Sequence, residues 1–310
     1  MRVFCLGHKR AEVSTLRLCA NAALANGPRR DWLSRMPRIP LEDNFTDVIG
    51  KAQRGHQLTD DALAAKAGVT VAEIKAVKGG EIRDHVLRAI AKPLHLEREA
   101  LLALARREWY PEQPIFPRGF AMFNSPHEDM TVNAYLVWDG KTRQAAAFDT
   151  GTNAQAILDT VIGENLTLRY IFLTHTHDDH IADLPRLAST GAEVWASELE
   201  PAPHAGAKTF QENAHFHLGE LSIKTLFTWG HSPGQTSYYV TGLAWPLAIV
   251  GDSLFASSMG GGLVSYDMQL RNNKTKLMTL PGDTVFACGH GPLTTLKQEK
   301  KHNPFFARGS

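Results

Sequence analysis

The sequence predicts an α/β fold class: a layered α/β domain preceded by a small all-α domain. Three observations carry this reading. Between residues 133 and 287, short apolar runs rich in β-branched and aromatic side chains alternate with helical stretches. From residue 45 to 107, apolar side chains recur at helical spacing with almost no alternation. Between the two, residues 109–118 hold Pro111, Pro114 and Pro117 and no periodicity, which marks a linker.

In chain order, residues 1–35 lack sustained periodicity and contain the breaker Asn26-Gly27-Pro28-Arg29-Arg30, so a disordered tail is expected. A chain start assigned upstream of Met36 would account for that segment. Residues 36–108 are expected to form the helical domain, with Leu58, Leu63, Ile74, Val77, Val86, Leu87 and Ile90 in its apolar stripes. Residues 119–310 form the α/β domain. Its expected strands are 133–138, 145–148, 170–173, 222–226, 238–240, 247–250 and 284–287, with helical pieces at 153–162 and 181–190.

Composition narrows the function. The 310 residues are 43% hydrophobic and 21% charged, an ordinary globular balance. No stretch approaches the roughly 18 uninterrupted apolar residues of a membrane span, and the short apolar segments near the N-terminus do not read as a signal peptide. Cys5, Cys19 and Cys288 are scattered, without CxxC spacing, so a reducing cytoplasm is expected and a thiolate zinc site is not. Charge is uneven: residues 1–35 carry seven Lys/Arg against two Asp/Glu, whereas residues 108–310 carry fourteen against twenty. The acidic C-terminal part disfavours a polyanionic substrate.

The chemistry is concentrated after the strand ending at Leu173, in Thr174-His175-Thr176-His177-Asp178-Asp179-His180. Imidazoles and carboxylates crowded at one strand end must be paired or metal-bound. His175 and His177 leave the strand on one side and reach one cation, while Asp179 and His180 start the next helix and face a second. Asp178 is expected as an outer partner or helix N-cap. A second pair, His215 and His217, has no acidic or third His partner in order and reads as strand surface.

This H-x-H-x-D-H pattern resembles that of the metallo-β-lactamase superfamily. Further matches follow in the expected order: Gly230-His231-Ser232-Pro233-Gly234, Gly251-Asp252-Ser253, and Gly289-His290-Gly291-Pro292, with Asn133-Ala134-Tyr135 and Phe148-Asp149-Thr150-Gly151 before them. The resemblance implies an αββα sandwich over residues 119–310 and two divalent metal ions, zinc first, with iron or manganese also suited to these donors. It implies that His175, His177 and His231 hold one metal, that Asp179, His180 and His290 hold the other, and that Asp252 bridges. Asp179 and Asp252 are also the expected catalytic residues. The implied reaction is attack on a carbonyl by a water that the two cations acidify.

The C-terminal run from Gly289 to Phe306 is similar to the ending of glyoxalase II-type proteins, the hydroxyacylglutathione hydrolases, which favours a small-molecule thioester as substrate. The stretch from Asp252 to Gly262 lacks the Gly-Arg or Gly-Lys of that family, and the sequence as read ends soon after Phe306, before that family's glutathione-binding helical domain. An iron-dependent persulfide dioxygenase on the same fold is the alternative. Antibiotic hydrolysis is not expected, because true metallo-β-lactamase subclasses replace the bridging Asp by Cys or Ser.

Within the helical domain, residues 58–77 resemble the helix-turn-helix of the Cro/repressor type, with Ala64 at the crossing, Gly68 at the turn, and Ile74 and Val77 as anchors. The segment is also similar to the N-terminal helical domain of cyanases, which has this topology without a DNA role. Thr70, Val71, Glu73 and Lys75 are poor base readers, so DNA is not expected as a partner; packing or homodimerisation is. A metal-sensing transcriptional regulator is the third reading.

Overall fold

Local capping signals set the first helices. In the computed structural model, which describes residues 38–201 and 203–307, Asn44 caps α1 (Phe45–Gly55) by accepting from Thr46 N at 2.7 Å, and Asp47 returns the bond to Asn44 N. Such a reciprocal cap contributes about 1 kcal/mol. α2 (Asp60–Ala67) stops at Gly68, whose φ of +68° is cheap only for glycine. α3 (Val71–Lys78) restarts with a second capping box, Thr70 with Glu73. α4 (Asp84–Ala91) and α5 (Arg98–Ala105) complete the helical segment. The tail expected over residues 1–35 lies outside the described residues.

Two six-stranded sheets follow. The first holds β1 (Phe120–His127), β2 (Met130–Trp138), β3 (Gln144–Phe148), β4 (Thr167–Phe172), β5 (Glu193–Ser197) and β6 (Lys208–Phe210) in that order. Its helices are α6 (Gln155–Gly163), α7 (Asp178–Ile181) and α8 (Leu184–Ala188). The second sheet runs, in chain order, β7 (His215–Leu218), β8 (Leu221–Phe227), β9 (Thr236–Thr241), β10 (Leu247–Gly251), β11 (Val285–Cys288) and β12 (Thr294–Thr295), with α9 (Tyr266–Asn272) before β11 and α10 (Leu296–His302) last. All seven expected strands are present. β1, β5, β6 and β12 escape sequence reading: β1 ends in Asn-Ser-Pro-His, with Pro126 tolerated because the strand is an edge, β6 has three residues and β12 only two.

The sheets face each other across Tyr135, Phe148, Phe172, Ile223 and Tyr238. Ile157, Leu184 and Leu187 cover the outer face of the first sheet. The outer face of the second is covered by α1–α5: Ile49, Leu63, Ile74, Leu87 and Leu101 belong to one apolar cluster with Val250, Phe255, Met259, Phe286 and Phe305. Residues 109–118 lack regular structure but are fastened, since Tyr110 Oη donates to Ile39 O at 2.7 Å and Gln113 Nε2 to Leu293 O at 2.8 Å. No helix among the described residues is long and apolar enough to cross a membrane.

One buried acid ties the last helix to the loop after β10. Glu299 accepts from Thr294 Oγ1 (2.6 Å), Asn303 Nδ2 (2.7 Å) and Ser257 N (3.1 Å). Burial outweighs these bonds and pushes its carboxyl up to about 7. A carboxyl raised on folding contributes stability that is present below its unfolded value near 4.5 and lost as the pH climbs through about 7. Glu299→Gln, with the Thr294 hydroxyl reversed, escapes that loss. Relative to the native protein, it should gain up to about 3 kcal/mol in stability between pH 5 and pH 8, read by denaturant titration at both values. An unchanged difference would show that the carboxyl is ionised throughout.

Candidate metal centre

Strand direction assembles the site. β3, β4 and β5 are parallel and in register, Phe148 against Phe172 against Trp195, so their C-terminal ends reach one edge. β10 and β11 are parallel with Gly251 beside Cys288, and deliver Asp252 and His290 to the same edge of the second sheet. His231 comes from the turn between β8 and β9. Close approach demands glycine before the last ligand: a Cβ at Gly289 would sit 2.1 Å from Asp252 Oδ1 and 2.8 Å from His180 Cε1.

All seven expected ligand residues meet there. The donor atoms of His175, His177 and His231 lie within 4.8 Å of one another, as do those of Asp179, His180 and His290, and those of His175, His180 and Asp252. Asp252 stands between the groups: Oδ2 is 3.4 Å from His231 Nε2 and 3.4 Å from His290 Nε2, and Oδ1 is 3.3 Å from His180 Nε2. Asp179 Oδ2 is 3.2 Å from His290 Nε2. His215 and His217 are exposed on β7, as expected. Asp178 differs from expectation. It is exposed at the first position of α7 while His177 occupies the N-cap position, so Asp178 neither caps the helix through its side chain nor backs a ligand.

The outward nitrogens of His175, His180, His231 and His290 are held, which sets their tautomers. His231 Nδ1–H donates to Gly261 O at 2.9 Å and His290 Nδ1–H to Thr131 O at 2.8 Å, because a carbonyl only accepts. His180 Nδ1–H donates to Asp149 Oδ2 at 2.9 Å. Thr174 Oγ1 donates to the same Asp149 oxygen at 2.8 Å and so accepts from His175 Nδ1–H at 3.0 Å. The Nε2 lone pairs of His175 and His231 then point at His177 Nδ1, at 3.1 and 3.0 Å, which offers one proton at most. His180 Nε2 and Asp252 Oδ1 are buried without a hydrogen bond. Converging, unsatisfied lone pairs of this kind are costly unless a cation takes them, so the residues fit a metal pair.

Electrostatics agree with that fit. Burial, reinforced by His180, holds His175 well below the ordinary imidazole value, and burial lowers His231, leaving both neutral as ligation requires. Burial also opposes a proton on His180 and His290. Asp252 nonetheless outweighs it, with help from Asp149 at His180 and from Asp179 at His290, lifting the two rings to about 10 and about 11. Divalent cations and protons therefore compete for these rings.

Sequence reading missed the supporting residues. Asp149, buried at a φ of +57°, turns its carboxylate back to take Thr174 N (2.7 Å), the Thr174 hydroxyl and His180. Glu200 staples two ligand loops, accepting from Thr176 N (3.1 Å) and Oγ1 (2.7 Å) on one and from Ser232 Oγ (2.5 Å) and Gly234 N (2.7 Å) on the other. Asn133 Nδ2 donates to Cys288 O and Gly291 O on either side of His290. The Asp149-Thr150-Gly151 run at a strand end was a signal for the first; nothing local marked Glu200.

The sequence profile of the metallo-beta-lactamase superfamily matches residues 127–290. The chain belongs to that superfamily. It is a metallo-hydrolase by that membership and by its relatives. Hydroxyacylglutathione hydrolase GloC of Haemophilus influenzae is 28% identical over 197 residues, 56% of this chain and 92% of GloC. Among solved structures of the superfamily, the BLEG-1 B3 metallo-beta-lactamase is 31% identical with a TM-score of 0.53, covering 61% of this chain and 100% of its own. ETHE1 from Myxococcus xanthus is 28% identical with a TM-score of 0.53, covering 60% and 84%.

Proposed function

We propose that the protein hydrolyses thioesters at a dinuclear metal centre. The observation that supports it is the seven-residue set: the imidazoles of His175, His177 and His231 on one side, Asp179, His180 and His290 on the other, and Asp252 facing both. Under this reading His175, His177 and His231 would hold one ion and Asp179, His180 and His290 the second, with Asp252 available to both and zinc the first candidate. When bound, two such ions supply Lewis acidity and bring the pKa of a shared water towards neutrality.

The chain's own groups do the rest. Asp252, held well below the usual carboxylate range by His290 and His180 despite its burial, stays ionised and orients the attacking water between the two halves of the site. Asp179, whose side chain keeps 15% exposure, is the carboxylate open to solvent beside His290 and takes the proton that the attack releases. A thiolate leaves without needing an acid, which suits a site whose imidazoles are all committed.

GloC, by its name, acts on a glutathione thioester, and its likeness over nearly its whole length supports the hydrolase reading. The likeness to ETHE1 favours the second reading, an iron-dependent persulfide dioxygenase. The regulator reading gains little: Glu73, on the helix that would read DNA, is committed to Thr70 and to His85 at 2.9 Å. A cytoplasmic site of action and a homodimer through the helical segment remain part of the proposal.

The test is thiol release from S-lactoylglutathione and simple acyl thioesters, beside oxygen uptake with glutathione persulfide and nitrocefin cleavage, on zinc- and iron-loaded protein. Thiol release with either metal, indifferent to oxygen, is expected. Oxygen uptake confined to the iron form, with no thiol released, would replace the hydrolase by the dioxygenase.

A further inference from the structure

The loops that frame the cluster share a composition that bears on its substrate. Residues 128–129, 149–154, 173–183, 198–207, 228–235, 252–265 and 289–293 all connect at the site's edge of the sandwich and contain neither Lys nor Arg, although the chain has 33 such residues. They carry the exposed acids Glu128, Asp129, Asp178 and Glu198 instead. The segment leading into α1 adds another. A Cβ built on Gly291, next to His290, would lie 3.2 Å from Glu42 N and 3.6 Å from Glu42 Cβ, and the Glu42 carboxyl feels the charges of His290 and Asp252. Lys51, which reaches the same region, is engaged with Asp43 and, at 2.9 Å, with Met259 O.

The same loops, with the first residue of β2, expose large apolar side chains: Met130 (40%), Leu199 (50%), Leu263 (73%) and Val264 (51%). Each adjoins a residue that steadies the cluster. Met130 precedes Thr131, whose carbonyl takes His290; Leu199 precedes Glu200; Leu263 and Val264 follow Gly261, whose carbonyl takes His231. Apolar groups kept in water at the rim of a reaction centre gain when a substrate covers them.

We infer that this site selects thioesters whose thiol carrier has no net negative charge and whose chain is apolar, and disfavours glutathione and other carboxylate- or phosphate-bearing carriers. An anionic carrier meets acids at the rim, where the described loop residues supply no Lys or Arg and Lys51 is already engaged with Asp43, and like charges in juxtaposition lower both encounter and affinity. The inference rests on the thioesterase reading and goes beyond it, because the hydroxyacylglutathione likeness points to the opposite carrier.

The test keeps one acyl group, hexanoyl, and varies the thiol: N-acetylcysteamine (uncharged), glutathione and coenzyme A, each at low and high salt. The expected result is a kcat/KM at least about tenfold higher for the uncharged thioester, carried by KM, with the gap narrowing as salt screens the rim. Leu263→Lys should narrow it as well. Equal or better turnover of the glutathione thioester overturns the inference and leaves the thioesterase standing. A gap that neither salt nor Leu263→Lys moves overturns it too, since shape would then be selecting. Failure of all three thioesters removes the thioesterase reading, and the inference with it.

Discussion

His175→Ala protein purified without added metal should lose an ion from the three-histidine position and drop in turnover by more than about a hundredfold, the upper range for disturbing even an outer partner of a metal ligand. His175 is fully buried, its Nδ1 is committed to Thr174, and its Nε2 converges with His231 on His177, so no neighbouring donor can replace it. Truncating a buried ring also costs stability, and the less buried Asp179→Asn separates the two effects: it removes charge from the second position with little change in packing. Metal content by elemental analysis and turnover should fall together in both variants. His217→Ala, on the exposed face of β7, should leave both untouched. Native turnover in chelator-treated His175→Ala protein would end the catalytic reading of the cluster.

Excising residues 39–108 should leave an aggregating or molten protein. Those residues cover the outer face of the second sheet, and their removal would expose Val250, Leu254, Phe255, Met259, Phe286 and Phe305, each now buried against them. Each such side chain contributes about 1.5–3 kcal/mol when fully buried, so the loss, about 9–18 kcal/mol for the six, is as large as the whole stability of about 5–15 kcal/mol that domains possess. The damage would reach the metal centre, because Lys51 holds Met259 O and Asp43 holds Ser258, in the loop that runs on to the His231 partner Gly261. Ile49→Ala gives a graded version: a cost of about 2–5 kcal/mol in one cooperative transition that takes the helices and the metal domain together. A soluble excised protein with native metal content and native melting would show that the helices are a separate module.

The amino-acid sequence by itself determined the chemistry's alphabet and its local placement. His175 and His177, two apart at a strand end, and Asp179-His180 at a helix start carry their geometry in spacing alone, since side chains two apart on a strand share a face. β8, whose burial alternates, was legible from a period of 2 and the helices over residues 45–105 from one near 3.6, whereas β10 and β11, buried on both faces, were legible as short continuous apolar runs. Tertiary structure alone decided which distant groups hold those ligands still. Asp149 reaches His180 across 31 residues, Thr131 O reaches His290 across 159, and Glu200 ties Thr176 to Ser232, pairings that follow from how two sheets stack and not from any run of residues. Packing also turned Asp178 outward and laid α1–α5 on the second sheet, because an apolar stripe declares that it must be buried but not against which surface.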